Sequence, residues 1–132
     1  MSLSDIFCVT RHKQDFYNLL KNDLDILIGN ENEINELTSK KSLLDSINQL
    51  KEFNKIIAIT RSDKGSLAIK NNEIINCESI KVNKVLDLTG AGDLFAAGFL
   101  KEYVEKSDIK KCLTTGSITA SKIIQKIGAR LE

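Results

Sequence analysis

Two short, continuous apolar runs constrain the fold of this chain most strongly. They are residues 25–29 (DILIG) and residues 55–60 (KIIAIT). Because their apolar residues are adjacent rather than alternating, each run predicts a strand that is buried on both faces, as in a parallel sheet. Apolar residues between the runs recur at helical spacing, which predicts helices over residues 30–37 and 42–53. Since strands and helices alternate, we predict the α/β fold class with layered packing.

Periodicity and turn residues predict the rest of the secondary structure. The further elements are helices over residues 11–22, 91–106 and 108–127, a hairpin over 66–70 and 73–76, and a strand over 79–85. The hairpin turn is predicted at Asn71-Asn72, and Gly128 is expected to cap the last helix at its carboxyl end. No linker-like stretch interrupts the pattern, so we expect one domain over residues 1–132.

Composition excludes several classes of partner. The formal net charge is +1 with 28% charged residues, which gives no electrostatic reason to expect nucleic acid or an anionic membrane surface. No apolar run approaches the roughly 20 residues of a membrane span. Cys8, Cys77 and Cys112 are far apart in sequence and form no CxxC pair, so we expect no zinc site or disulfide, and a reducing cytoplasm.

The segment Gly90-Ala91-Gly92-Asp93 precedes an apolar helix and carries the first candidate chemistry. Small residues let backbone N–H groups converge at a helix N-terminus, where an anion is stabilised, and a carboxylate there could accept a proton from an attacking hydroxyl. The alternative is that the glycines permit close packing and Asp93 complements the helix dipole. From these residues alone the two readings are even. Phe95 stands where a dinucleotide fingerprint needs glycine, and no Gly-Lys-Ser/Thr ending forms a Walker A loop.

Asn30 and Glu33 follow the first predicted strand and have two interpretations. An amide and a carboxylate three residues apart on a helix offer hard oxygen ligands for Mg²⁺. The same pair also fits a capping box, in which Asn30 is the N-cap and Glu33 occupies the third helical position. Without further context the capping interpretation is favoured.

The turn over residues 60–65 (TRSDKG) follows the second predicted strand. Open α/β sheets bind ligands at the carboxyl ends of their strands, and this turn offers hydroxyls, N–H groups and two cations for a polyphosphate. Its alternative is a polar turn before the hairpin. We expect this turn, the Asn30–Glu33 segment and the Gly90–Asp93 segment to converge at one edge of the sheet.

These motifs together resemble the ribokinase (PfkB) family of carbohydrate and nucleoside kinases. Residues 87–95 (DLTGAGDLF) look like the family's D-T-x-G-A-G-D signature, with Leu88 in place of the usual Thr. Residues 30–33 (NENE) look like its N-x-x-E magnesium motif. Residues 60–65 resemble its T-x-G-x-x-G nucleotide loop, with Ser62 in place of the middle Gly. Residues 112–132 look most like the adenosine-kinase branch.

The resemblance implies a ribokinase-like α/β/α fold and a set of roles. Asp93 would deprotonate an acceptor hydroxyl while amides of Gly90, Ala91 and Gly92 stabilise the γ-phosphoryl group of ATP. The resemblance also implies residues that hold the cofactors. These are Asn30 and Glu33 for Mg²⁺, Thr60, Ser62 and Gly65 for the nucleotide, Ser117 beside the adenine, and Asp87 with Thr89 for a monovalent cation. A left-handed backbone at Ser62 would cost about 1 kcal/mol more than at Gly.

The implied reaction is transfer of the γ-phosphoryl group of ATP to a hydroxymethyl group of a nucleoside or sugar. Adenosine is the first expectation, a ribose- or fructose-type sugar is the second, and a non-catalytic nucleotide-binding module is the rival. Family members are much longer, and this chain resembles only their C-terminal portion. We therefore expect the polypeptide alone to be inactive and to self-associate through apolar surface that the remainder would cover.

Overall fold

The computed structural model describes residues 1–3 and 5–126, and their secondary structure follows the predicted α/β pattern. The helices are α1 (Ile6–Arg11), α2 (Lys13–Asn22), α3 (Glu31–Thr38), α4 (Leu43–Leu50), α5 (Ala91–Val104) and α6 (Ile109–Ile123). The strands are β1 (Ile26–Asn30), β2 (Ile56–Thr60), β3 (Ser66–Lys70) and β4 (Glu73–Cys77), and single 3₁₀ turns span Lys51–Phe53 and Ser62–Lys64. No helix within these described ranges has the length and apolar character needed to cross a membrane.

The strands form one sheet in the order β1-β2-β3-β4. Strands β1 and β2 are parallel, and their register runs from Ile26 opposite Ile56 to Asn30 opposite Thr60. Both are buried through their central residues, which confirms the prediction from the continuous apolar runs. The hairpin is confirmed as well: Asn71 and Asn72 have φ of 50° and 64°, the left-handed pair that a two-residue turn requires.

Contacts divide the chain into two compact units. The first comprises residues 1–61 and 67–75, and the second comprises residues 62–66 and those from Asn76 onward. The prediction of one domain over residues 1–132 stays a prediction. In the first unit, aliphatic side chains of the sheet pack against α3 and α4; the fully buried ones include Leu27, Ile34, Leu37, Leu50, Ile57 and Ile59.

The second unit contains the packed helices α5 and α6. Gly98 of α5 and Gly116 of α6 let the helices approach: a Cβ on Gly98 would lie 2.9 Å from the Cα of Gly116. Glu102 is buried in this contact, where it accepts hydrogen bonds from Ser107 Oγ at 2.7 Å and Thr115 Oγ1 at 3.1 Å. The hydrogen bond from Ser107 is the main cause that lowers the pKa of Glu102, so this buried group stays charged and satisfied.

Three sequence predictions need correction. The helix predicted over 11–22 is α2, which is preceded by the unpredicted α1; this short helix is capped by Asp5, whose Oδ1 accepts the Cys8 N–H at 2.8 Å. The strand predicted over 79–85 is wrong, because no strand lies between β4 and α5 and the apolar side chains there remain partly exposed. The last helix ends at Ile123, and Gly128 lies outside the described residues.

Candidate active site

Strands β1 and β2 end side by side, and each leads directly into a candidate segment. Asn30 and Thr60 are the last register pair of the two strands. The sequence placed both residues at strand ends, and the parallel pairing brings them to the same edge of the sheet, as predicted. This edge belongs to the first unit.

Asn30 and Glu33 form a capping box at the start of α3. Asn30 Oδ1 accepts the Glu33 N–H at 2.8 Å, and Glu33 Oε2 accepts the Asn30 N–H at 2.9 Å. The capping interpretation of the sequence is therefore confirmed, and the magnesium role stays a prediction. The capping box fixes both side chains at the strand end.

Glu33 is held in a buried position, with 7% of its surface exposed. Burial raises the pKa of Glu33, the Asn30 N–H opposes this by lowering it, and nearby Asp5 raises it further. Gly29 makes room for the carboxylate, because a Cβ there would lie 3.3 Å from Glu33 Oε2 and 2.9 Å from Leu3 Cδ1. The carboxylate is thus kept at a site where its charge is unfavourable without a neighbouring cation.

The Asn30–Glu33 pair fits a magnesium ion that keeps most of its waters. Within residues 1–3 and 5–126, no group of three or more His, Cys, Asp and Glu is placed to hold a metal. Mg²⁺ commonly uses one or two carboxylates together with substrate phosphates and water, rather than a cage made wholly of protein ligands. A single buried carboxylate beside an amide oxygen matches that pattern.

The turn after β2 contains two left-handed residues. Ser62 has φ 56° and Gly65 has φ 87°, and the Gly65 N–H donates to Ser62 O at 3.2 Å. Ser62 therefore keeps the conformation that glycine adopts readily, at a cost of about 1 kcal/mol. Gly65 is required by packing, because a Cβ there would lie 2.1 Å from Cys77 O.

Ser117 of α6 lies next to the residue that follows this turn. The hydroxyl oxygens of Ser117 and Ser66 are 3.4 Å apart, and Ser66 is buried. Both residues belong to the second unit, so the structure brings Ser117 close to the Gly65 end of the turn. Ser66 was missed by the sequence analysis; its position directly after Gly65 was the signal that could have found it.

The loop before α5 is held by backbone and side-chain hydrogen bonds. The Leu86 N–H donates to Ile124 O at 2.7 Å, and Asp87 Oδ1 accepts the Thr89 N–H at 2.8 Å. Gly90 is the N-cap of α5 with φ 79°, a conformation that favours glycine. The loop therefore enters the helix through a fixed turn.

The first turn of α5 is open on the side where a ligand would approach. Apart from its chain neighbours and the adjacent helix backbone, a Cβ added to Gly92 would meet no atom of the described residues within 4 Å. Among residues 1–3 and 5–126, no acceptor is found for the N–H groups of Gly92 and Asp93, and no partner is found for the exposed Asp93 carboxylate. Packing therefore does not explain Gly92. Asp93 makes no capping hydrogen bond, and its position in the first turn also fits the alternative in which its charge complements the helix dipole.

The structure brings some of the sequence-predicted site residues together. Asn30 pairs with Thr60 in the first unit, whereas Ser66 contacts Ser117 and Gly90 leads into Asp93 in the second. Convergence of all three segments at one sheet edge stays a prediction.

Comparisons with known proteins identify the class of protein that this fold and these segments define. A family model for pfkB family carbohydrate kinases matches residues 4–132. A probable sugar kinase from Rhizobium etli CFN 42 is 36% identical, with a TM-score of 0.95 over 98% of this chain and 40% of that one. Adenosine kinase from Sinorhizobium meliloti is 33% identical, with a TM-score of 0.96 over 99% of this chain and 40% of that one.

A third similar structure was solved with its ligands. Arabidopsis thaliana ribokinase, complexed with ribose and ATP, is 30% identical, with a TM-score of 0.76 over 84% of this chain and 38% of that one. The chain belongs to the pfkB family of carbohydrate kinases, and its α/β fold is that of the ribokinase-like kinases. It spans 24% to 46% of the length of curated relatives named as nucleoside and sugar kinases.

Proposed function

We propose that this chain is the nucleotide-binding portion of a kinase that transfers the γ-phosphoryl group of ATP to a hydroxymethyl group. The single observation that carries the proposal is the first turn of α5. There, open space at Gly92 adjoins N–H groups and an Asp93 carboxylate that have no partner among the described residues. Family membership and the ATP complex of Arabidopsis ribokinase support it.

The first turn of α5 has the features needed to stabilise a phosphoryl group in transit. The N–H groups of Gly92 and Asp93 point out of the helix N-terminus, which carries partial positive charge. Ala91 and Gly92 place no long side chain in the way, and Gly90 sets the turn. We assign amides of Gly90, Ala91 and Gly92 to the phosphoryl oxygens, and Asp93 to the proton of the attacking hydroxyl. The Ala91 N–H donates to Leu88 O at 3.2 Å in this structure, so it would have to exchange that acceptor for a phosphoryl oxygen.

We assign Asn30 and Glu33 to a magnesium ion on the ATP phosphates. When bound, the ion would neutralise phosphate charge. Glu33 would contribute through its second carboxylate oxygen or through metal-bound water, because Oε2 already accepts the Asn30 N–H. A cation there would also offset the unfavourable burial of the Glu33 charge.

The remaining nucleotide contacts are assigned to four residues. Thr60 and the turn residues Ser62 and Gly65 would contact the nucleotide through hydroxyls and N–H groups. Ser117 would lie beside the adenine, and its contact with Ser66 supports an ordered hydroxyl there. For a monovalent cation we assign the turn of Asp87 and Thr89, in which the Thr89 N–H is already bound by the Asp87 side chain.

The acceptor we propose is a nucleoside such as adenosine, with a ribose- or fructose-type sugar as the second candidate. Similarity to the Sinorhizobium meliloti adenosine kinase supports the first, and similarity to the Rhizobium etli sugar kinase supports the second. We expect no turnover from the 132-residue polypeptide by itself. A coupled ADP-release assay with adenosine or ribose that gave ordinary kinase rates would contradict that expectation.

Two further proposals concern the setting of the protein. We propose a reducing cytoplasm, because Cys8, Cys77 and Cys112 are odd in number and far apart in sequence, unlike a disulfide framework. We also propose self-association through exposed apolar side chains, of which the most exposed include Phe7 and Val104, each 76% exposed.

A hybrid enzyme tests the proposed reaction. Residues 1–132 would replace the matching segment of Sinorhizobium meliloti adenosine kinase, and transfer from γ-labelled ATP to adenosine would be measured. We expect Asp93→Asn to lower kcat by about a hundredfold or more while the affinity for Mg·ATP changes little. Equal turnover of the hybrid and its Asp93→Asn variant would remove Asp93 from the role of base.

A further inference from the structure

An ion pair joins the two segments that leave the ends of β1 and β2. Glu31 directly follows Asn30, and Arg61 directly follows Thr60, so the register pair at the strand ends is extended by a charged pair. Arg61 Nε lies 3.5 Å from Glu31 Oε2, and the two side chains are 28% and 32% exposed. Both residues belong to the first unit.

The ion pair leaves the guanidinium of Arg61 incompletely satisfied. Arg61 Nε is buried and has no hydrogen-bond partner among the described residues, so the contact with Glu31 offsets charge without using this donor. Buried donors are nearly always paired, and one that is not calls for an explanation. A ligand acceptor at the strand ends that displaces Glu31 would supply the missing partner.

We propose that Arg61 is a phosphate-binding residue that Glu31 holds in place until a nucleotide arrives. The inference rests on the proposed function and adds a residue to it. A guanidinium has several donors in a planar fork that matches phosphate oxygens, and ligands of open α/β sheets bind at the strand ends where Arg61 lies. A polyphosphate carries more charge than one carboxylate, so it displaces Glu31 from Arg61.

The alternative role for this pair is purely structural. The two roles predict opposite changes in ligand affinity when Glu31 is removed. If the pair only links the segments, removal of either charge disturbs the same contact and both changes weaken binding. If Glu31 competes with phosphate for Arg61, removal of Arg61 weakens binding and removal of Glu31 strengthens it. The ion pair of Lys13 and Glu36 is a matched control, because its atoms are 3.0 Å apart and its side chains are 32% and 31% exposed.

Calorimetric titration of the 132-residue chain with Mg·ATP and with inorganic tripolyphosphate tests the proposal. We expect Arg61→Gln to weaken binding of both probes by about tenfold to a hundredfold, the effect of one charge-assisted hydrogen bond. Arg61→Lys should recover part of the loss. Glu31→Gln should strengthen binding by roughly threefold to tenfold, since a competing charge is removed. Lys13→Gln and Glu36→Gln should change neither affinity.

A double variant separates competition from simple loss of negative charge. The gain from Glu31→Gln should disappear in the Arg61→Gln background, because it acts through Arg61. An equal gain in both backgrounds, an unchanged affinity in Arg61→Gln, or parallel losses in both single variants would overturn the proposal while leaving the proposed function intact. A folded wild-type chain that binds neither probe would overturn both.

Discussion

Two glycines in α5 should respond in opposite ways to the same substitution. Glycine in a helix is less favourable than alanine by about 0.5–1 kcal/mol. At Gly92 an added methyl group meets no described atom within 4 Å, so Gly92→Ala should raise the free energy of unfolding by about that amount. Glycine at position 92 therefore makes the folded state less stable than alanine would.

Gly98 provides the matched control in the same helix. An added Cβ there would lie 2.8 Å from Thr119 Oγ1 and 2.9 Å from both Gly116 Cα and Thr115 O. Overpacking of this kind costs about 1–3 kcal/mol. After the gain in helix propensity of about 0.5–1 kcal/mol is subtracted, Gly98→Ala should lower the free energy of unfolding by about 0.5–2 kcal/mol.

Thermal and urea unfolding measure the change in stability, and calorimetric titration measures the change in affinity for Mg·ATP. A change of 1 kcal/mol corresponds to a shift in Tm of roughly 4 °C for a chain of this size. Gly92→Ala should raise Tm and weaken Mg·ATP binding by at least about tenfold, because the methyl group occupies the space proposed for a phosphoryl oxygen. Undiminished binding by a stabilised Gly92→Ala variant would refute the argument that this glycine is kept for a ligand.

Glu33, Gly65 and Phe7 each give a further testable expectation. Burial raises the pKa of Glu33, so the contribution of this group to folding stability is greatest below its unfolded pKa and is lost as pH rises through the raised value. Glu33→Gln keeps an acceptor for the Asn30 N–H. Urea unfolding should therefore show this variant to be more stable than wild type at pH 7 but not in acid. Gly65→Ala should cost about 3 kcal/mol or more in the same assay, because its Cβ would collide with Cys77 O at a residue with φ 87°, and a loss below 1 kcal/mol would contradict this. Light scattering should show concentration-dependent association that Phe7→Ser reduces, whereas a monomer at all concentrations would count against self-association.

The parts of the fold that the sequence predicts are those in which local pattern and burial agree. Continuous apolar runs identify β1 and β2, and Asn71-Asn72 identifies the hairpin turn. The strand prediction fails for residues 79–85, which pair with no strand and whose apolar side chains remain partly exposed. Helix α1 is too short to display a helical period, so its Asp5 cap was the one available signal.

The candidate site shows a similar limit. The same two residues, Asn30 and Glu33, satisfy both the capping box and the magnesium motif. Only the structure shows that Glu33 is buried, where its negative charge is unfavourable. Gly92 and Gly98 look equivalent in sequence, yet packing explains one and not the other. Such differences depend on neighbours that are distant along the chain, so no local pattern can encode them.

The most direct test of the account is calorimetric titration of the folded 132-residue chain with ATP, with and without Mg²⁺. We predict saturable binding at a single site, tighter with Mg²⁺ than without it, and a smaller effect of Mg²⁺ in Glu33→Gln. A non-catalytic scaffold that retains the motifs need bind neither ATP nor Mg²⁺. A folded chain that shows no saturable heat with millimolar Mg·ATP would contradict the claim that it carries the nucleotide-binding portion of a kinase.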